Sequence, residues 1–288
     1  MKEQRMAKIA FITDSTAYLS ESFVKEHEIT VIPLNLHWDG TNYRDGVNIQ
    51  PEEFYDMLEK SDSIPTTSQP TYGEFEVLLK ELSKKSDAII AVLISSGISG
   101  TVDSALMAKQ HLSSIQVEVV DSKLTSAGLA LLMKALVKAR GEGKNAAELV
   151  ALANKIIESA GTFFMVDTLK YLHKGGRIGG ASRFLGGALE IKPILYLNQE
   201  GKIDALEKVR TKKKAFQRLM DLAVEKADGK KAYVGIIHAQ APEDAEKIKE
   251  ELSKRMDCAE MGVYELSPVI GTHVGPGTLG IAVHTTEY

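Results

Sequence analysis

The sequence predicts two α/β domains: a first on a largely parallel sheet with helices on both faces, and a second on a mixed sheet with a hairpin and helices. Three stretches predict the first. Ile9–Asp14, residues 88–94 and residues 117–121 are short apolar runs that stop abruptly in serine or threonine. Runs of this kind, bounded by glycine and serine, fit parallel strands covered on both faces. A change of texture near residue 160 predicts the second. At 288 residues the chain exceeds the size at which single cores usually divide. The expected domains are 1–160 and 161–288.

The elements follow in order. A polar start, residues 1–8, leads into the first strand. Residues 20–27 fit a helix, 31–38 a strand and 39–48 a turn-rich segment. Pro51 opens a helix through Leu58, since proline is tolerated at the first helical position. Thr71 and Glu74 fit a capping box ahead of Phe75, Leu78, Leu79 and Leu82. Asn145 and Glu148 make a looser one before Leu149 and Ile156. Between them, residues 126–140 are strongly helical and Gly141 ends the run. Residues 162–166 read as a strand, followed by a short helix and a glycine-rich stretch over 175–187. Residues 193–197 and 202–209 pair as a hairpin across a four-residue loop. Helix Lys212–Ala227, strand 233–237, helix 242–256 and strand 260–266 precede a closing strand, Leu279–His284.

Composition excludes several function classes. A net charge of −4 argues against a generic nucleic-acid binder. The single cysteine, Cys258, has no partner for a disulfide or a zinc pair, and is expected to act as a small buried apolar residue. The N-terminus lacks the apolar core of a signal peptide, and no stretch reaches bilayer-spanning length. The expectation is a cytoplasmic protein with no transmembrane segment, no metal and no cofactor.

Chemistry concentrates where strands end. Open parallel sheets bind ligands beyond the carboxyl ends of their strands, where helix N-termini offer free N–H groups. Ser95-Ser-Gly-Ile-Ser-Gly-Thr101 places hydroxyls and small residues at such a point, suited to a carboxylate or phosphate. Ser99 capping the helix beside a tight glycine turn is the equally good plain reading. The stretch is not a nucleotide phosphate loop, because no Gly-Lys-Ser/Thr follows at the required spacing. Thr66-Thr-Ser-Gln-Pro70 is a second hydroxyl cluster, stiffened by Pro65 and Pro70. Arg177 follows paired glycines and can grip an anion by two parallel bonds. Arg210 begins a basic cluster at a helix start, where cations oppose the helix dipole. His273 lies in a glycine-rich loop. Asp14 ends a strand and is a conceivable base with no evident partner.

Taken in order, Thr13-Asp-Ser-Thr16, Thr67-Ser-Gln-Pro70, the Ser95–Thr101 stretch, residues 172–178, Ile191-Lys-Pro-Ile194, Val209-Arg-Thr211 and His273-Val-Gly-Pro-Gly277 resemble the DegV family from end to end. The resemblance implies two α/β domains and a long acyl chain held in a buried tunnel. It implies a carrier that presents a fatty-acid carboxylate to a separate ATP-dependent subunit related to dihydroxyacetone kinases, which makes the acyl phosphate. The carrier is then not an enzyme by itself. Mapped onto this chain, Thr67 and Ser96, with Ser99 as a third, hold the carboxylate. Arg177 and His273 lie at the mouth, and Arg210 serves kinase docking or the new phosphate. The alternative is a stand-alone phosphotransferase or hydrolase acting on a small anion in the Ser-rich crevice, with Asp14 as base.

Overall fold

The computed structural model describes residues 7–112, 115–185 and 191–288. Residues 1–6 of the polar N-terminus and 186–187 of the glycine-rich stretch lie outside them. The first half runs β1 (Ile9–Asp14), α1 (Glu21–Glu26), β2 (Ile29–Ile32), β3 (Asn35–Trp38), β4 (Thr41–Arg44), α2 (Pro51–Lys60), β5 (Thr66–Ser68), α3 (Tyr72–Ser83), β6 (Ala88–Leu93), α4 (Thr101–Lys109) and β7 (Gln116–Asp121). Two longer helices follow, α5 (Ser126–Gly141) and α6 (Ala146–Ser159). The second half runs β8 (Gly161–Met165), α7 (Lys170–Lys174), β9 (Lys192–Leu197), β10 (Ile203–Val209), α8 (Lys212–Ala227), β11 (Ala232–His238), α9 (Pro242–Arg255), β12 (Cys258–Glu265), α10 (Pro268–Val274) and β13 (Leu279–His284).

Among the described residues these strands form three sheets. One, in the order β2-β1-β6-β7, is parallel throughout. A second, β10-β9-β8-β13-β11-β12, is mixed, with β11 and β12 its parallel pair. The third, β4-β3-β5, is small and antiparallel. The fold is α/β, as expected.

Every residue of β1 and β6 is buried, because alternate side chains enter two different cores. Phe11, Ile90 and Val92 pack with Leu129 and Met133 of α5 and Ile156 of α6. Ile12, Ile89 and Leu93 pack with Phe75 and Leu79 of α3 and Val102 of α4. The mixed sheet divides likewise. Its Met165, Ile194, Ile236 and Ile281 meet Leu219 of α8 and Ile248 of α9. On its other face Phe164, Leu195, Ile237 and Ala282 share a core with Leu34, Leu36, Trp38 and Phe54 from the first half. Helix α5 sits at this junction: Ala127 and Ala130 face the shared core, while Leu129, Leu132 and Leu136 face the first sheet. A helix covered on all sides needs no polar stripe, which explains its composition. The sheets change at Gly161, but apolar packing continues across the change.

Three expectations are corrected between β2 and α3. The single strand over 31–38 is two strands in different sheets. Pro33 has no N–H to continue the ladder, so the chain leaves the parallel sheet there. The turn-rich segment holds β4, reached through Asp39 and Gly40, whose φ values are 46° and 80°. Two positive φ angles make the turn that matches strand twist, and Trp38 pairs with Thr41 across it. Residues 66–68, expected as a stiff loop, form β5, with Thr67 opposite Leu36. The flanking prolines stay outside the ladder, where a missing N–H costs little. Both capping boxes are complete, at Thr71 and at Asn145. Cys258 begins β12 only partly buried, contrary to expectation.

Candidate functional site

The two halves flank a narrow cavity whose free volume, for the centre of a water-sized sphere, is about 80 Å³. Leu34, Ile98, Phe164, Leu197, Ile237 and Val269 give it an apolar wall. At one end four polar side chains converge: Thr67, Ser99, Arg177 and His273.

Each is placed by its element. The small sheet holds Thr67 through its pairing with Leu36. His273 lies in the last turn of α10, a helix started by Pro268 at its first position. Asp45 steadies the other end of that helix by accepting the Val269 amide at 3.3 Å. Thr67 Oγ1 and His273 Nε2 are 2.7 Å apart. Among the described residues His273 Nδ1 has no hydrogen-bond partner, so a proton there would be a buried, unpaired donor. The proton therefore sits on Nε2 and is donated to Thr67, leaving the threonine its own hydroxyl proton to give to a ligand. Arg177 donates from Nε to Ile98 O at 3.2 Å and from Nη1 to Gly175 O at 2.9 Å. It thereby straps the glycine turn to the Ser-rich loop, next to Ser99. The Ser99 hydroxyl lies 2.8 Å from Thr101 Oγ1. The arrangement offers two hydroxyls and one guanidinium to a single anion at the end of an oily space.

A family model described as an uncharacterised protein of the DegV family matches residues 8–286. The chain belongs to the DegV family. Protein DegV of Bacillus subtilis is 37% identical over 275 residues, covering 95% of this chain and 98% of that one. A structure described as fatty acid binding of a DegV family protein from Thermus thermophilus matches with a TM-score of 0.92 at 31% identity, covering 97% of this chain and 100% of that one. The crystal structure of DegV, a fatty acid binding protein from Bacillus subtilis, matches at a TM-score of 0.89 and 35% identity, with 97% and 100% covered.

Measured against this DegV cavity, the expected site residues separate. Thr67, Ser99, Arg177 and His273 come together; Ser96 and Arg210 do not line the cavity. Ser96 is exposed and turned toward the end of β7. Its hydroxyl binds Asp121 Oδ2 and receives Lys123 Nζ at 3.2 Å, while its amide donates to Asp121 Oδ1 at 3.0 Å. Consecutive loop residues point different ways: buried Ser95 donates to Gly201 O at 2.8 Å, Ser96 faces the surface, and Ser99 reaches the ligand space. Of the two serines, only Ser99 faces the cavity. Arg210 is exposed between β10 and α8 and has no ion pair among the described residues, whereas Lys212 beside it is matched by Asp244 at 3.0 Å. Asp14 is fully engaged. Its oxygens accept Thr16 N at 3.0 Å, Thr16 Oγ1 at 2.6 Å and Ile94 N at 2.6 Å, which ties β1 to β6. Sequence reasoning missed Gly175, where a Cβ would overlap the His273 ring; its neighbour in the Gly-Gly pair gave no sign of this. Among the described residues no group of three or more His, Cys, Asp or Glu could hold a metal ion, and no helix is long and apolar enough to cross a membrane.

The buried titratable groups set a pH dependence. Burial first, then Arg177, depresses His273 from 6.5 to about 4. Burial likewise brings His284, stacked on Tyr233 at 4.7 Å, to about 4. The folded protein holds both neutral while the unfolded chain takes up protons near pH 6.5. Their contribution to stability is complete above that value and is lost as pH falls toward 4. Asp45 acts in the opposite sense: burial raises it from 3.8 to about 6, so its contribution is present below 3.8 and lost as pH rises through 6. Replacing His284 with Phe keeps the stack and removes one titration. The denaturation midpoint of that variant should fall less steeply between pH 6.5 and 4.5 than the parent's. Identical acid limbs would contradict the assignment.

Proposed function

We propose that this chain binds a long-chain fatty acid in the cavity and presents its carboxylate to a separate kinase subunit for phosphorylation by ATP. The observation that carries the proposal is the junction of an enclosed apolar space with Thr67, Ser99, Arg177 and neutral His273 at one end. Each methylene removed from water contributes roughly 0.8 kcal/mol, so a long tail binds tightly with few polar contacts. The carboxylate then needs only the donors present. The Bacillus subtilis and Thermus thermophilus relatives, described as fatty acid binding, support the same use of the fold.

Phosphorylation requires a carboxylate oxygen to attack the γ-phosphorus of ATP as ADP leaves. Nothing at the cavity resembles a nucleotide phosphate loop, so the nucleotide belongs to the partner. Exposed Arg210 is the proposed docking or phosphate contact. Two facts weigh against a stand-alone phosphotransferase or hydrolase: Asp14 has both oxygens occupied, and Ser96 is held by Asp121.

The test is native mass spectrometry of the purified chain, followed by incubation with ATP alone and with a DegV-associated kinase. Bound acyl chains and acyl phosphate only with the kinase are expected. Arg210→Ala should retain the acyl chain and slow phosphorylation by about 10-fold, the loss of one charged contact. An empty cavity in every preparation, or acyl phosphate without the kinase, would defeat the proposal.

A further inference from the structure

The cavity wall is not uniformly apolar away from the carboxylate end. Thr125, Ser126 and Thr162 line it and are 9%, 2% and 5% exposed. Among the described residues none of the three hydroxyl oxygens has a hydrogen-bond partner. Buried hydroxyls are nearly always paired, and an unpaired one is costly. Three on one wall of a ligand space call for a ligand atom that satisfies them.

The three form one patch. Thr125 and Ser126 open α5, whose first turn lies against β8: a Cβ on Gly128 would stand 3.4 Å from Thr162 Oγ1. Ser126 has φ 58°, a left-handed conformation that costs energy in a non-glycine residue. Thr125 makes no side-chain cap, so the leading amides of this 16-residue helix also lack a side-chain acceptor. The Tyr18 phenol donates to Ser267 Oγ at 3.3 Å, accepts the Ser267 amide at 2.9 Å and has the Ser126 hydroxyl beside it.

Strand register separates this patch from the carboxylate end. Thr278 bonds the carbonyls of Val274 and Gly275, beside His273. The next residue, Leu279, pairs with Met165, and Thr162 with Ala282. Thr162 is therefore three residues further along β8, roughly 10 Å away at the rise of a strand. Alternation puts Thr162 and Phe164 on the same cavity-facing side. Arg177 is the sole cationic residue lining the cavity among those described, so a second charged group at the patch would have no counter-ion. A neutral oxygen, able to accept from these hydroxyls, suits the patch.

We propose that the cavity accepts acyl chains oxygenated along the tail, carrying a hydroxyl or keto group that Thr125, Ser126 and Thr162 satisfy. This rests on the fatty-acid reading and specifies its ligand class. The test uses the full chain, stripped of lipid, in competition binding with octadecanoate, a positional series of hydroxyoctadecanoates and one keto analogue. At one hydroxyl position the parent should bind the oxygenated chain at least as tightly as octadecanoate. Thr162→Val, which keeps the shape, should weaken that ligand by roughly 10-fold without weakening octadecanoate. Thr162→Ser, which keeps the hydroxyl, should behave like the parent. Rejection of every oxygenated isomer by the parent, with octadecanoate still bound, would overturn the proposal alone. So would equal shifts of both ligands in Thr162→Val, the signature of a trapped water. Failure of octadecanoate itself to bind would instead remove the underlying fatty-acid reading, and the proposal with it.

Discussion

Gly175→Ala is expected to cost this protein on the order of 10- to 100-fold in fatty-acid affinity while leaving it folded. Gly175 sits at the end of α7 with φ −76° and ψ −6°, a conformation alanine adopts freely. Its importance lies in what it touches. A Cβ there would overlap His273 Nδ1 and stand 2.9 Å from Cε1 and 3.1 Å from Tyr171 O. The imidazole is buried in α10 and cannot swing into solvent, so it must tilt away from the turn. The 2.7 Å contact with Thr67 then breaks, and the threonine proton is no longer directed at the ligand. Arg177, bonded to Gly175 O, shifts with the turn. Titration of the variant with a fluorescent fatty acid, beside its thermal melt, reads both quantities. Gly73→Ala, whose Cβ would come no closer than 3.9 Å to its nearest neighbour, is the matched control. Parent-like affinity in Gly175→Ala would show that His273 does not organise the site.

The largest loss of stability is expected from Leu129→Ala. Leu129 is fully buried and packs α5 against the parallel sheet beside Phe11, Ile90 and Met133. The same helix presents Ala127 and Ala130 to the core shared with the second half, so the void cannot be closed by moving α5 without opening the opposite face. A cavity that cannot collapse puts the cost at about 2–5 kcal/mol. In a chain of this size that lowers the melting temperature by on the order of 3–8 °C. Differential scanning calorimetry checks it. A melt within about 2 °C of the parent would mean α5 does not wedge the two halves together.

The sequence reading reached furthest where a physical rule acts over few residues. The apolar runs of β1 and β6, the Thr71 and Asn145 capping boxes and the Pro51 helix start are written in adjacent positions, and each stands where it was expected; β7 stands in place too, but as an edge strand it is only partly buried rather than covered on both faces. It failed where a neighbour distant in sequence decides. Ser96 and Ser99 are chemically alike and three positions apart. Only the carboxylate of Asp121, arriving from β7, draws Ser96 to the surface and leaves Ser99 at the cavity. The Asp39-Gly40 turn falls in the segment expected to be turn-rich, while the strand β4 beyond it depends on its pairing with β3. The pairing of β5 with β3 was not legible locally, since three polar residues between prolines announce a strand only when a partner edge is present.

By itself, then, the sequence determined which segments become buried strands and capped helices, and therefore an α/β chain with hydroxyl-rich loops at strand ends. Tertiary structure alone decided that Thr67, Ser99, Arg177 and His273 meet at one end of an apolar space, because their separation along the chain reaches 206 residues between Thr67 and His273. It also decided that Thr125, Ser126 and Thr162 stay unpaired along its wall. Local preferences choose the conformation of each turn and helix; which side chains share a cavity depends on how whole sheets pack, and that is settled by the burial of all their apolar surface at once.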